Sequence, residues 1–270
     1  MTTATEAPET EPRTVSGTGS ATIDLAAVGH SFEALEVLAR IDLEVPAGEV
    51  VGLVGPSGCG KSTLLELIAG LAEPSRGGLR VDGDGAAAER LARCAYMPQR
   101  DLLLPWLSAI DNAALAPRNR GASRAEARAE AAPLLERFGL AGFERARPSE
   151  LSGGMRQRIA FLRTLLAGKP VMLLDEPFAS LDAITRAEMQ EWLAEALAVE
   201  RRTVVLVSHD VEEALYLCDR VVVLSARPAR PVAAVSSPTP RSLPRLEAVT
   251  APEFTAVRER ALAALARGMR

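Results

Sequence analysis

Hydrophobic and polar positions alternate near the start of the chain, then give way to short runs that are apolar throughout. ATIDLAAV from Ala21 and ARIDLEV from Ala39 carry the period-two pattern of half-buried antiparallel strands. EVVGLVG from Glu49, VMLLD ending at Asp175, TVVLVSH ending at His209 and VVVLS from Val221 have no polar face, as strands covered on both sides require. KSTLLELIAGL from Lys61 reads as a helix with Gly70 near its C-terminal end. Buried strands separated by helices predict an α/β fold with a largely parallel sheet.

The stretch from about 98 to 168 is helical in character. SRAE, Ser123 to Glu126, matches a capping box, and Gly139 is placed to end that helix. Pro133 lies inside it and predicts a kink or an early stop. VDGDG, Val81 to Gly85, is a tight turn whose two aspartates lack the spacing of a calcium loop. Beyond Ser225, ARPARPVAAVSSPTPRSLPR reads as an extended connector rich in Pro and Arg. TAPE then predicts a last helix from Thr250, with Phe254, Val257, Leu262 and Leu265 as one apolar stripe packed on the domain. No internal repeat is visible.

Composition narrows the class. A formal net charge of −4 gives no global reason to expect nucleic acid as a partner. Three scattered cysteines, Cys59, Cys94 and Cys218, make neither a disulfide framework nor a zinc site and fit a reducing compartment. The first 20 residues are acidic and rich in Thr, Glu and Pro, as in a disordered tail, with neither the basic start nor the apolar run of a secretory signal. No segment reaches the ~18 consecutive apolar residues that cross a bilayer.

The chemistry lies in a few short motifs. GPSGCGKST, covering Gly55, Pro56, Ser57, Gly58, Cys59, Gly60, Lys61, Ser62 and Thr63, has the P-loop spacing, with a strand before it and a helix after it. Its glycines let the backbone amides turn toward a phosphate, and the helix N-terminus adds positive potential. Lys61 is expected at the β- and γ-phosphates and Ser62 at a magnesium ion. Asp175 closes a buried strand and would help hold that ion, while Glu176 is placed to take a proton from attacking water. His209 ends a strand expected beside the nucleotide and is read as a γ-phosphate contact; His30, in VGHSF, is read as a surface residue. Cys59 sits where a helix N-terminus lowers a thiol's pKa, yet it is read as a small permissive residue whose alkylation would block ATP binding.

A second glycine pair, in LSGGMRQR from Leu151 to Arg158, opens a helix but has no lysine. With the P-loop and VMLLDEP, it resembles the ATP-binding subunits of ABC transporters over roughly Ile23 to Ser225. That resemblance implies a P-loop ATPase with a RecA-like core, an N-terminal antiparallel β subdomain and an inserted helical signature subdomain. Residues 1–20 would be the tail, 21–225 the ATPase domain with the helical subdomain at about 98–168, and 226–270 the connector and C-terminal helix.

The family's roles carry over to matching positions. LSGGM is similar to the signature LSGGQ, so Ser152, Gly153 and Gly154 would cap ATP held by the P-loop of a second copy. Met155 replaces the glutamine but leaves the backbone amides in place. Phe32 resembles the aromatic that stacks on adenine. Gln99 resembles the Q-loop glutamine that contacts magnesium and water. Ser180, Leu181 and Asp182 resemble the D-loop crossing the dimer interface.

The resemblance also implies partners. RDLLLPW follows Gln99, and Pro105 and Trp106 are similar to the permease-docking element of importers for nitrate, sulfonates, taurine and thiamine-type pyrimidines. The cofactors would be ATP and Mg2+. The partners would be a second copy of the chain, an integral permease docking near Gln99 to Trp106 and, indirectly, a substrate-binding protein. The location would be peripheral, on the cytoplasmic face of the membrane. An exporter ATPase and a non-transport ABC ATPase are the competing readings.

Overall fold

The computed structural model describes residues 19–199, 202–238, 240 and 243–269, so nearly all of the tail expected over residues 1–20 lies outside it. The two alternating segments form β1 (Ile23–Phe32) and β2 (Leu35–Val45), paired antiparallel. β3 (Val50–Val54) and α1 (Lys61–Ala69) follow, with Gly70 as the left-handed C-cap. Then come β4 (Arg76–Val81), α2 (Ala87–Arg93) and β5 (Cys94–Met97). The helical stretch holds α3 (Ala109–Ala113), α4 (Leu115–Asn119), α5 (Arg124–Arg137) and α6 (Gly153–Leu165). The chain then returns to the sheet with β6 (Val171–Asp175), α7 (Ala183–Val199), β7 (Thr203–Ser208), α8 (Val211–Leu217) and β8 (Arg220–Leu224). β9 (Pro231–Ser236), α9 (Arg245–Thr250) and α10 (Pro252–Gly268) finish it.

A three-stranded antiparallel sheet runs β2-β1-β4, and a six-stranded sheet runs β5-β6-β7-β3-β8-β9. The first five strands of the larger sheet are parallel, and β9 is antiparallel at its edge. The apolar runs are buried because both faces of this sheet are covered. Val51 and Leu53 of β3 join the cluster that includes α1 and the antiparallel sheet, while Val50 and Val54 face the helical subdomain, α8 and α10. β6 and β7 divide their residues in the same alternating way.

Three local expectations are corrected, and one of the two alternatives at Pro133 is excluded. α5 runs through Pro133 instead of stopping there. Pro133 and Ala129 are both solvent-exposed, so the unpaired carbonyl meets water, and the buried stripe of Ala127, Ala131 and Leu135 holds the helix in place. Part of the supposed connector is β9, whose first residue is proline, a position where a strand can do without an N–H donor. Thr250 is not the N-cap of the last helix. It ends α9, where its hydroxyl donates to the Leu246 carbonyl at 2.7 Å, and the N-cap of α10 is Ala251. The buried stripe of α10 is Phe254, Val257, Ala261 and Ala264, leaving Leu262 exposed.

Candidate functional site

The P-loop turns between β3 and α1 because its glycines sit where side chains cannot. Gly60 has φ 117°, and a Cβ there would meet Val37 Cγ1 at 2.7 Å and Leu38 Cδ2 at 2.9 Å. The loop is therefore pressed against β2. Lys61 is buried, and its ammonium donates to the carbonyls of Gly55 (2.8 Å) and Pro56 (3.0 Å). Ser62 hydrogen-bonds the carboxylate of Asp175, which is buried at the end of β6. Burial pushes the Asp175 carboxyl upward, opposed by the Ser62 hydrogen bond. Tyr96 of β5 also bonds that carboxylate, and its own hydroxyl is held well above the usual phenol range by burial and by the charge of Asp175.

Glu176 follows in left-handed backbone, φ 50°, which costs a non-glycine residue about 1–3 kcal/mol. Its neighbours hold it there: its amide donates to the Val207 carbonyl (3.0 Å), and Gln157 Nε2 donates to its carbonyl at 3.4 Å. Its Oε2 accepts from Gln99 Nε2 at 3.1 Å and lies 3.5 Å from His209 Nδ1. Gln99, Glu176 and His209 thus converge on one carboxylate oxygen, which lies at the C-terminal edge of the sheet.

A cavity of about 420 Å³ gathers Ser57, Gly58, Gly60, Lys61, Ser62, Thr63, Gln99 and Glu176 with Phe32. Phe32, at the end of β1, is half exposed rather than a core residue and meets His30 edge-to-face at 4.7 Å. His30 is a correction. It is 9% exposed, lies 3.5 Å from Ser75 Oγ and supports Phe32 from behind instead of facing solvent. Nothing contradicts the reading of Cys59 as a small permissive residue: at 1% exposure its thiol is raised by burial, which outweighs the lowering by Lys61. Three further liners, Leu35, Val37 and Arg227, had no motif to mark them, because β2 and the β8–β9 turn reach the cavity only through the fold.

The signature residues lie elsewhere. Ser152 caps α6, its hydroxyl accepting from the Met155 amide at 3.2 Å, so Met155 contributes through its backbone. A Cβ on Gly154 would meet Leu181 Cδ2 at 3.2 Å, which sets the helix start close against the Ser180–Asp182 segment. Asp182 accepts from the amides of Ile184 and Thr185, both at 3.1 Å, and starts α7. Gly153 lines a separate hollow of about 380 Å³ with Gln99, Asp101, Leu102, Arg156 and Ser180. The chain thus brings Phe32, most of the P-loop, Gln99 and Glu176 to one cavity, with Gly55, Pro56, Cys59, Asp175 and His209 behind or beside its lining and Ser152, Gly153, Gly154 and Asp182 outside it.

After Gln99, Leu103 and Leu104 turn inward, with Asn112 accepting from the Leu104 amide at 2.8 Å, whereas Leu102 and Trp106 are exposed. Of the RDLLLPW cluster, only part is core. Among the described residues no helix is long and apolar enough to cross a membrane.

A phosphate loop, a buried acidic strand end and a carboxylate placed beside them on a mostly parallel sheet define a P-loop ATPase. The comparisons narrow that class. The profile of the ABC transporter family matches residues 38–179. The aliphatic sulfonates import ATP-binding protein of Rhodococcus jostii is 49% identical over 203 residues, covering 75% of this chain and 79% of that protein. The taurine import ATP-binding protein of Chromobacterium violaceum is 41% identical over 249 residues, covering 90% and 94%. The formylaminopyrimidine import ATP-binding protein of Halalkalibacterium halodurans is 44% identical over 192 residues, covering 71% and 74%. A solved ATP-binding cassette, dimeric and in a post-hydrolysis state with ADP and Pi, superposes with TM-score 0.74 at 28% identity, covering 80% of this chain and 99% of that one. The chain belongs to the ABC transporter family and is one of its ATP-binding, ATP-hydrolysing subunits.

Proposed function

We propose that this subunit powers the import of a small solute, of the sulfonate, taurine or formylaminopyrimidine class, through a separate membrane permease. The observation that carries this is the agreement of three relatives, 41–49% identical, that are all named as import ATP-binding proteins. A substrate-binding protein would deliver the solute, and the chain would sit peripherally on the cytoplasmic face of the membrane.

Phe32 supplies a ring for the adenine, and the Gly55 to Thr63 loop supplies amides and the Lys61 ammonium for the phosphates. Ser62, Asp175 and Gln99 offer hydroxyl, carboxylate and amide oxygens, a donor set suited to a hard octahedral cation. Mg2+ held there would neutralise charge on the β- and γ-phosphates. Glu176 orients the attacking water and accepts its proton, while Gln99 and His209 hold the carboxylate at the γ-phosphate end. Ser152, Gly153, Gly154 and Asp182 serve the nucleotide of a second copy, which supports a head-to-tail dimer around two ATP molecules. The exposed Leu102 and Trp106, three and seven residues past Gln99, are the docking element for the permease.

The test uses tagged Glu176→Gln protein, trapped with MgATP and recovered from gently solubilised membranes. A co-purifying multi-span protein that is lost when Trp106→Ala and Leu102→Ser are added supports the importer reading. Recovery of ribosomal or DNA-associated proteins alone overturns it and leaves the ATPase assignment intact.

A further inference from the structure

The turn between β8 and β9 meets three parts of the molecule within six residues. The Ala229 amide donates to the Val37 carbonyl (2.8 Å) and its carbonyl accepts from the Ala39 amide (3.0 Å), which binds the turn to β2. The Ala226 amide donates to the Gly268 carbonyl at the end of α10 (2.7 Å). Ser225 Oγ closes the turn on itself, accepting from the Arg230 amide at 3.1 Å. Between these anchors, Arg227 reaches back to the P-loop. Its Nε donates to the Gly58 carbonyl at 3.0 Å, one terminal nitrogen donates to the same oxygen, and the side chain lines the nucleotide cavity.

The position of Gly58 makes this contact matter. It has φ 71° and lies midway along a loop whose amides must converge on phosphate. The amide of the Gly58–Cys59 peptide, on Cys59, donates back to the Pro56 carbonyl at 3.2 Å, so the Gly58 carbonyl on its opposite side needs a partner of its own. Lys61 holds the carbonyls of Gly55 and Pro56 from inside the loop. Gly58 is instead held from outside, by a cation whose own backbone is fixed to β2 and α10.

We propose that Arg227 is a positioning residue for ATP binding, which fixes the phosphate loop through the Gly58 carbonyl and carries that restraint to β2 and the C-terminal helix. It acts on nucleotide affinity and not on the hydrolytic step, because Glu176, Gln99 and His209 do not depend on it. The inference rests on reading the cavity lined by Lys61 as the nucleotide site.

Titration of the full chain with ATP, together with steady-state hydrolysis, tests both levels. Arg227→Ala should raise the Kd and KM for ATP about three- to tenfold, the loss expected for one solvent-exposed hydrogen bond. Its kcat at saturating ATP should stay within about twofold, since binding alone is weakened. Arg227→Lys keeps one donor and the charge and should recover at least half of the lost affinity in logarithmic terms. Thermal unfolding of the nucleotide-free protein should move by no more than about 1 °C, because the bond is exposed. Unchanged affinity in Arg227→Ala overturns the inference, and so does a loss that Lys fails to recover or one matched by a lower melting temperature. Lys61→Ala runs alongside as the control for the site. If it too binds ATP normally, the nucleotide site itself is misplaced, and this failure is distinct from that of Arg227.

Discussion

Arg156, one turn into the signature helix, donates from Nε to Asp101 Oδ2 at 2.9 Å, two residues past Gln99. Two turns further along α6, Arg163 donates to the backbone carbonyls of Asp101 (2.7 Å) and Leu102 (2.8 Å). The segment that carries exposed Leu102 and Trp106 is therefore fastened to the helix that starts at Ser152. A movement of one must be felt by the other.

The Arg156–Asp101 pair is about one-third exposed on both sides, so its coupling should be modest. A double-mutant cycle with Arg156→Ala and Asp101→Ala, read by denaturant unfolding, should give about 0.5 kcal/mol of coupling. Additive effects would mean that the pair does not restrain the segment.

Glu176→Gln should slow phosphate release by about 10²- to 10⁴-fold, the usual worth of a general base. Its amide still offers an oxygen to Gln99, so ATP binding should survive and an ATP-dependent dimer should accumulate. Sizing by light scattering in MgATP reads the second effect. A variant that remains monomeric at high protein concentration would contradict the two-copy arrangement.

Asp111 is buried in the helical subdomain and is gripped by Arg124 (3.2 and 2.7 Å) and Arg128 (2.8 and 2.7 Å). These guanidiniums and Ser108 hold its carboxyl well below the usual range. Asp111→Ala should destabilise by roughly 2–3 kcal/mol, because it removes the acceptor of several charge-assisted bonds at once. Arg124→Ala or Arg128→Ala alone should cost much less, since both arginines are partly solvent-exposed and each leaves the other in place. A single-arginine loss equal to that of Asp111→Ala would refute this division.

The motifs were legible because their chemistry is local. The P-loop, VMLLDEP and LSGGM each combine a short spacing with the right element before or after it, and the structure puts those elements where the spacing implies. What escaped depends on tertiary contact. Arg227 looked like part of a Pro/Arg connector until β9 paired with β8 and turned it toward Gly58. The Thr250 capping box lost to a preceding helix that already used the threonine. His30 sits on a strand whose alternation is broken by bulges around Val28 and Gly29, so counting could not assign its face.

Cys59 shows two local rules in conflict. A helix N-terminus lowers a thiol's pKa and burial raises it, and here burial prevails. Native protein should therefore react with iodoacetamide at pH 7 at least about tenfold more slowly at Cys59 than denatured protein does, as peptide mass spectrometry can read. Equal rates would show the thiol to be as accessible and as readily ionised as in the unfolded chain.

Glu213 gives a pH dependence whose sign is fixed. It is 6% exposed on α8, accepts from Gln190 Nε2 at 2.7 Å, and bonds Ser208 just before His209. Burial raises its carboxyl above the ordinary 4.5, and the Ser208 and Gln190 bonds only partly oppose this. A raised folded pKa means that the group's favourable contribution is fully present below 4.5 and is lost as pH climbs through the folded value. Glu213→Gln keeps an oxygen for both donors and carries no charge to desolvate. The melting temperature of the variant minus that of the parent should therefore become more positive from about pH 5 to about pH 8. Taking the difference cancels every titration the two proteins share. A difference that stays flat, or that falls as pH rises, would mean that the buried network pays the full cost of the charge.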